Sequence, residues 1–373
     1  MTSQQKAQEL LAMADVTIHG ERPWDIQVHD ERLYDRVFAH GSVGLGEAYM
    51  DGWWDAEDLT GFFAHVLRAH LDSRISFLGA LGYVLRARFT NMQNTKRAYQ
   101  VGEQHYDIGN DLYERMLDKR LAYSCGYWSS PATPAQNLDN AQEQKLDLVC
   151  RKIGLKPGQT VLDIGCGWGS FLKFAAERYG AKGVGVTVSK EQAALARETC
   201  TGLDVDIRIE DYRTLQGTFD HIISIGMFEH VGPKNYRAYM QKVSSLLKED
   251  GLFLLHTIGS DRTTWTSDPW FHKYIFPNGV LPSVAQMGAA IDGLFMLEDW
   301  HNFGADYDLT LQEWFKNFDA AWPELQSKYG ERFYRMWKYY LLSVAGGFRS
   351  RRTHLWQLVF SKKGMLGGYQ SAR

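Results

Sequence analysis

Apolar positions recur at helical spacing in Gln5 to Met13, Leu59 to Leu71 and Ile75 to Phe89, and predict helices there. From Val101 onward the texture changes. Asn137 to Ile153 reads as a helix with Asn137 as its N-cap. Gly158 then leads into Val161-Leu162-Asp163-Ile164, a short apolar run of the kind a buried strand shows, followed by a glycine turn and an amphipathic helix from Ser170 to Tyr179. A second strand, Gly183 to Val188, precedes a helix from Lys190 to Thr199. Asp206 to Glu210, His221 to Ile225 and Gly251 to Thr257 read as further strands, and Thr353 to Lys362 as a late edge strand. Strands alternating with helices imply an α/β fold, a parallel sheet covered on both faces. Between the last two strands, residues 259–347 form an insertion rich in Trp, Tyr, Phe and His.

The pattern predicts two domains. A small, mostly helical one covers 1–95, a polar stretch from Thr90 to Lys96 serves as linker, and 101–373 forms the larger domain. Charge is segregated in the small domain. Gly41 to Phe63 carries Glu47, Asp51, Asp55, Glu57 and Asp58 with no Lys or Arg, whereas Val66 to Arg97 carries Arg68, Arg74, Arg86, Arg88, Lys96 and Arg97 against Asp72 alone. Apolar residues interleaved with those cations suit either a helix lying on anionic lipid or a packed helix with a solvated basic face.

Composition narrows the classes further. A hydrophobic fraction of 45% is enough for an ordinary core, and a net charge of -3 argues against broad nucleic-acid binding. The 13% of aromatic residues fill cores first, and line apolar pockets second. Cys125, Cys150, Cys166 and Cys200 have no paired spacing, so neither a zinc site nor a disulfide framework is expected. The N-terminus lacks the pattern of a secretory signal, and no window approaches the ~18 apolar residues of a membrane span. The expectation is a cytoplasmic protein that meets the inner face of the membrane peripherally.

The strongest single motif is Asp163-Ile164-Gly165-Cys166-Gly167-Trp168-Gly169. Alternate glycines between a strand and a helix let the chain turn sharply and bring backbone against a ligand. The spacing is D-x-G-x-G-x-G rather than the dinucleotide G-x-G-x-x-G. It resembles the first motif of the Rossmann-like S-adenosylmethionine methyltransferases. One departure matters. Those enzymes usually carry an acid after the second strand to hold the ribose, and Val186-Thr187-Val188-Ser189 has none. Thr187 and Gln192 can offer hydrogen bonds there instead, and Glu210-Asp211-Tyr212 is placed to contact adenine.

Further segments extend the resemblance over nearly the whole chain: Gly44 to Trp53, His105 to Asp111, Tyr123 to Trp128, Gly226 to Val231, His256 to Gly259, Tyr274 to Pro277, Asp299 to Gly304 and Gly304 to Tyr307. Together they resemble the cyclopropane-fatty-acyl-phospholipid synthases and, more distantly, the mycolic acid cyclopropane synthases, which lack the extra N-terminal domain. The resemblance implies transfer of a methylene from S-adenosylmethionine to the cis double bond of an unsaturated phospholipid acyl chain in a bilayer. A carbocation develops on the way, so water must be kept out, and aromatic faces can stabilise the charge. The aromatic stretch from Trp265 to Phe318 suits such a dry pocket, although core packing accounts for any one ring equally well.

The resemblance also implies a bound bicarbonate as proton acceptor, held by Cys125, Glu229, His256, the backbone of Ile258, and Tyr307. Glu229 would accept the bicarbonate proton, orienting the ion and raising its basicity, and Cys125 would be a neutral hydrogen-bond partner. By residue type alone His256 is as readily a core histidine and Tyr307 a packed ring. For S-adenosylmethionine the carried-over positions are Tyr123, Ser124, Gly165, Gly167, Trp168, Thr187, Gln192, Asp211, Tyr212 and Phe228. No metal is implied, and a homodimer is. Three alternatives stay open: a lipid C-methyltransferase forming a methylene branch, a small-molecule methyltransferase, and a catalytically silent cofactor-binding module that recognises membranes.

Overall fold

The computed structural model describes residues 1–72, 109–130 and 133–373. The helix expected at Ile75 to Phe89, the linker from Thr90 to Lys96, the cations Arg74, Arg86, Arg88, Lys96 and Arg97, and His105 to Ile108 lie outside the described residues. The rest falls into two compact units that do not follow chain order. The smaller gathers the described residues of 1–91 with Trp265–Pro277 and Tyr307–Thr353; the larger takes those of 92–264 with Asn278–Asp306 and His354–Arg373. The aromatic-rich insertion is therefore shared out between the two units.

The smaller unit is mostly helical. Ser3–Ala12 starts at a capping box, in which Thr2 Oγ1 accepts from the Gln5 N–H and Gln5 Oε1 accepts from the Thr2 N–H. Asp58 caps Leu59–Arg68 by accepting from the Gly61 N–H at 2.8 Å. The strands β1 (Gln27–Val28) and β2 (Trp54–Asp55) pair antiparallel. An aromatic core joins elements distant in sequence. Trp54 meets Tyr49 and Phe62, and Tyr339 of the Glu331–Arg349 helix packs against Tyr49, Phe63 and Trp270. Gly46 makes room for this, since a Cβ there would lie 2.4 Å from the Trp270 indole. Trp270, Trp314, Trp337 and Phe318 are all buried in this unit, so these rings of the insertion are core.

The larger unit is built on one seven-stranded sheet. Its strands are β3 (Thr160–Ile164), β4 (Lys182–Thr187), β5 (Val205–Ile209), β6 (Phe219–Ile225), β7 (Leu247–Ser260), β8 (Met296–Asn302) and β9 (Thr353–Ser361), in the order β5-β4-β3-β6-β7-β9-β8. β3 through β7 pair in parallel, while β8 runs antiparallel to β9. Side chains alternate between the faces as strand geometry requires: Leu162, Ile222, Leu255 and Leu358 join one apolar cluster, and Val161, Ile223, Leu254 and Val359 the other. This is the predicted α/β fold. One strand assignment is corrected. β9 is not the edge; it lies between β7 and β8, and the edge is Met296–Asn302, which the sequence pattern left inside the insertion.

Candidate active site

The glycine loop sits where β3 ends. Gly165, Gly167 and Gly169 have φ of +87°, +53° and +83°, a region that suits glycine, and the Ser170–Tyr179 helix begins directly after them. The loop is anchored sideways: the Gly165 and Cys166 N–H groups both donate to the Val186 carbonyl at the end of β4, at 2.9 and 3.0 Å. A Cβ on Gly165 would meet the Met227 side chain at 2.7 Å, so the loop after β6 closes against it. Asp163, at the motif's head, is buried, and desolvation pushes its carboxyl up to about 7 despite the opposing charge of Lys145.

The other expected cofactor positions are arranged around the same strand ends. Thr187 donates its hydroxyl to Gln192 Oε1 at 2.9 Å, both side chains buried, so the two residues offered in place of a ribose acid are coupled to each other. Asp211 is buried, and both of its oxygens accept from the Arg213 guanidinium, at 2.9 and 2.7 Å. Tyr212 stands edge-on to Tyr239. Trp168 is buried, and Tyr113 stands beside both it and Tyr123. Phe228 is fully buried and stacked on Tyr236 at 4.4 Å. Ser124 accepts at Oγ from Lys145 Nζ at 2.8 Å, and its carbonyl accepts from Gln142 Nε2 at 2.7 Å.

A second group of polar atoms lies at the carboxyl ends of β6 and β7. His256 pairs in register with Ile225, and its carbonyl accepts from the Gly226 N–H at 2.9 Å, which brings the strand end and the following turn together. Glu229 begins beyond that turn. Its Oε1 accepts from the Ile258 N–H at 2.7 Å, while Oε2 is buried with no partner among the described residues. Burial pushes its carboxyl up to about 7, against the pull of the Ile258 bond. His256 is likewise buried. Its Nδ1 lies 3.2 Å from Gln357 Nε2, and its Nε2 has no partner there. Burial, with Lys145, Lys152 and His301 adding to it, holds the imidazole well below its usual range, so the ring is neutral at neutral pH.

Glu229, His256 and Ile258 are thus brought together. Cys125 is fully buried in the same unit, with its thiol 3.1 Å from the Gly126 carbonyl. Tyr307 belongs to the smaller unit, where its ring is buried and stacked on Phe348 at 4.6 Å. Its chain neighbour Asp306, in the larger unit, accepts from the Trp128 N–H at 2.7 Å and the Ser129 hydroxyl at 2.8 Å, fixing the stretch that follows Cys125.

Lys145, Asp306 and Gln357 are among the buried polar side chains to which the sequence pattern gave no role. A signal existed for the first. Lys145 lies on the stripe Leu138, Ala141, Leu148 and Val149 of the Leu138–Lys152 helix, and a lysine on the apolar face of a helix announces a buried charge. Burial lowers its ammonium to about 8, although Asp118, Cys125 and Asp163 favour the charged form. Gln357 had no such mark, because its position depends on which strands become neighbours.

Known proteins match this chain. Residues 93–358 match the family described as mycolic acid cyclopropane synthetase. The chain is 52% identical over 369 residues to the cyclopropane-fatty-acyl-phospholipid synthase of Escherichia coli strain K12, covering 98% of this chain and 95% of that protein. A probable fatty acid methyltransferase of Pseudomonas putida is 36% identical over 270 residues, covering 69% of this chain and 68% of that one. Among solved structures, the cyclopropane synthase MmaA2 from Mycobacterium tuberculosis superposes with a TM-score of 0.66 at 28% identity, covering 73% of this chain and 100% of that one. The mycolic acid cyclopropane synthase CmaA1, complexed with SAH and CTAB, gives 0.65 at 29% identity, covering 71% and 98%. By that family match and that identity over nearly its whole length, this chain belongs to the cyclopropane synthase family of S-adenosylmethionine-dependent methyltransferases.

Proposed function

We propose that the chain transfers a methylene from S-adenosylmethionine to the cis double bond of an unsaturated phospholipid acyl chain, with bicarbonate as proton acceptor. The observation that carries this reading is the pair of buried, unpartnered atoms Glu229 Oε2 and His256 Nε2 at adjoining strand ends. Buried polar atoms are rarely left alone, so the pair is chemically complete only with a small polar occupant. Bicarbonate fits: it has one O–H to give to a carboxylate and oxygens to accept an imidazole N–H. When bound, bicarbonate supplies the base that removes the proton released as the ring closes.

The chain's own residues perform the rest. The glycine loop leaves space for S-adenosylmethionine, and Thr187 with Gln192 offers polar atoms for its ribose. Glu229 orients the anion through one oxygen while Ile258 pins the other. The backbone of Ile258 and the wholly buried Cys125 complete the surroundings assigned to the anion, and Tyr307 is proposed to contribute its hydroxyl. The smaller domain is assigned to lipid docking at the inner face of the membrane, carried by the basic, apolar stretch Val66 to Arg97, and a homodimer adds a second docking surface. No helix among the described residues is long and apolar enough to cross a membrane.

The test is to incubate the protein with S-adenosylmethionine and vesicles of a cis-monounsaturated phospholipid, then inspect the acyl chains by proton NMR. An upfield ring-methylene signal, weakened in bicarbonate-free buffer, is expected. Cofactor consumption without that signal means methyl transfer without ring closure, as in a C-methyltransferase. A ring signal indifferent to bicarbonate removes the assigned proton acceptor. Changing Arg86 and Arg88 to Glu is expected to weaken vesicle binding, most at low salt; equal binding by both forms removes the docking assignment.

A further inference from the structure

β9 carries a buried side chain in contact with His256. Gln357 has no exposed surface, and β9 is the neighbour of β7 in the sheet, which sets the glutamine beside His256. Its Nε2 stands 3.2 Å from His256 Nδ1. A neutral imidazole has one N–H, and the partner at one nitrogen decides where it resides. If the amide donates to Nδ1, the lone pair must be there and the proton on Nε2. That is the nitrogen with no partner among the described residues, as Oε2 of Glu229 also has none.

The opposite arrangement is poorer. With the amide turned over, its oxygen, which as placed has no partner among the described residues, would accept from Nδ1–H, but the one amide hydrogen that meets the ring would lose its partner and neither would then be paired in a dry interior. Nε2 would become a bare lone pair. Buried donors tolerate the lack of a partner less well than a carbonyl oxygen does, and a lone pair cannot hold an anion. Phe303 meets the imidazole edge-on at 5.9 Å and helps fix the ring plane, so the amide is left to choose the proton.

We propose that Gln357 is a positioning residue that holds His256 in the Nε2–H tautomer, so that the ring donates to the anion oriented by Glu229. This rests on the reading of the strand-end pocket as an anion site. It adds a requirement that the identity of the anion-holding residues does not contain: the last part of the chain must return to the sheet before His256 can act as a donor.

The experiment is two-bond proton–nitrogen NMR on protein labelled with nitrogen-15 in histidine, with His256 assigned by its loss in His256→Asn. The wild type is expected to show a protonated Nε2 and an unprotonated Nδ1. The reverse pattern overturns the proposal, and this reading needs no Gln357 variant to fold. In Gln357→Glu an ionised carboxylate accepts from Nδ1–H and moves the proton. The expected result is an inverted tautomer pattern and turnover lowered roughly 10²-fold with KM for S-adenosylmethionine unchanged. An inverted pattern with unchanged turnover overturns the proposal. Adding bicarbonate to the wild type separates the two readings: a shifted Nε2–H resonance supports both. A protonated Nε2 that ignores bicarbonate overturns the anion reading while leaving the tautomer assignment standing.

Discussion

Glu47 in the smaller unit and Glu229 in the larger are both carboxylates held largely away from water, and their surroundings treat the charge in opposite ways. Around Glu47 every oxygen is occupied. Oε1 accepts from Lys273 Nζ at 2.6 Å and Tyr274 OH at 2.8 Å, and Oε2 accepts from Arg36 at 2.8 Å. Burial pushes this carboxyl up, but Lys273, Arg36 and Tyr274 outweigh it and pull it down to about 2. Asp51 repeats the pattern between Arg36 and Arg332. Around Glu229 the Ile258 N–H and the Thr257 side chain give some support, no cation among the described residues pairs with it, and burial raises the carboxyl to about 7. A saturated carboxylate locks elements of a fold together. A half-satisfied one in a buried interior costs stability. The comparison separates a carboxylate that holds the smaller unit together from one that the larger unit leaves half-satisfied.

The sharpest way to break the comparison is Glu229→Gln. It is expected to lower turnover by roughly 10²-fold or more while leaving S-adenosylmethionine affinity intact. Release of S-adenosylhomocysteine and calorimetric titration of the cofactor check both halves, and unchanged turnover would equate Glu229 with an ordinary core residue.

The same variant tests the electrostatics. In the folded state Glu229 holds its proton up to about 7, whereas in the unfolded chain it releases it near the ordinary value of 4.5. Between those limits the folded state binds the extra proton, so its contribution is full at low pH and is lost as pH rises through about 7. Relative to Glu229→Gln, the wild type is expected to lose on the order of 3 kcal/mol across that window. Denaturant melts of both proteins at pH 5 and pH 8 read this directly, and parallel curves would contradict a desolvated carboxyl.

Glu47→Gln is expected to do the reverse. It should destabilise the smaller unit by about 1.5–3 kcal/mol, because three donors lose a charged acceptor. Turnover per folded molecule should stay unchanged, as denaturant titration combined with active-site counting would establish. The smallest effect expected is that of Gly46→Ala, about 1–3 kcal/mol of overpacking against the rigid Trp270 indole, again without a catalytic phenotype.

Much of the larger unit was legible in the sequence. β3 to β6 lie within a residue or two of their apolar runs, and the Ser170–Tyr179 and Lys190–Thr199 helices have the expected bounds. Asn137 does cap its helix, accepting from the Asn140 N–H at 2.9 Å. Strands buried on both faces announce themselves by continuous apolar residues, and helices by their caps. β8 did not, because Met296, Leu297 and Asn302 are exposed and Glu298, Trp300 and His301 only partly buried, so an edge strand shows neither a full apolar run nor clean alternation. β7 runs longer than its apolar run because Lys248, Glu249 and Asp250, although polar and exposed, continue the strand.

The sequence by itself determined the α/β sheet, the glycine turn after its first strand, and the chemical identity of Glu229 and His256, since these depend on local periodicity, backbone freedom and residue type. Only the tertiary structure decided that Trp265–Pro277 and Tyr307–Thr353 pack with the N-terminal residues, that β9 lies inside the sheet, and that Gln357 meets His256 across 101 residues of chain. Those outcomes follow from which surfaces bury one another, and contacts between residues far apart in sequence leave no period along the chain.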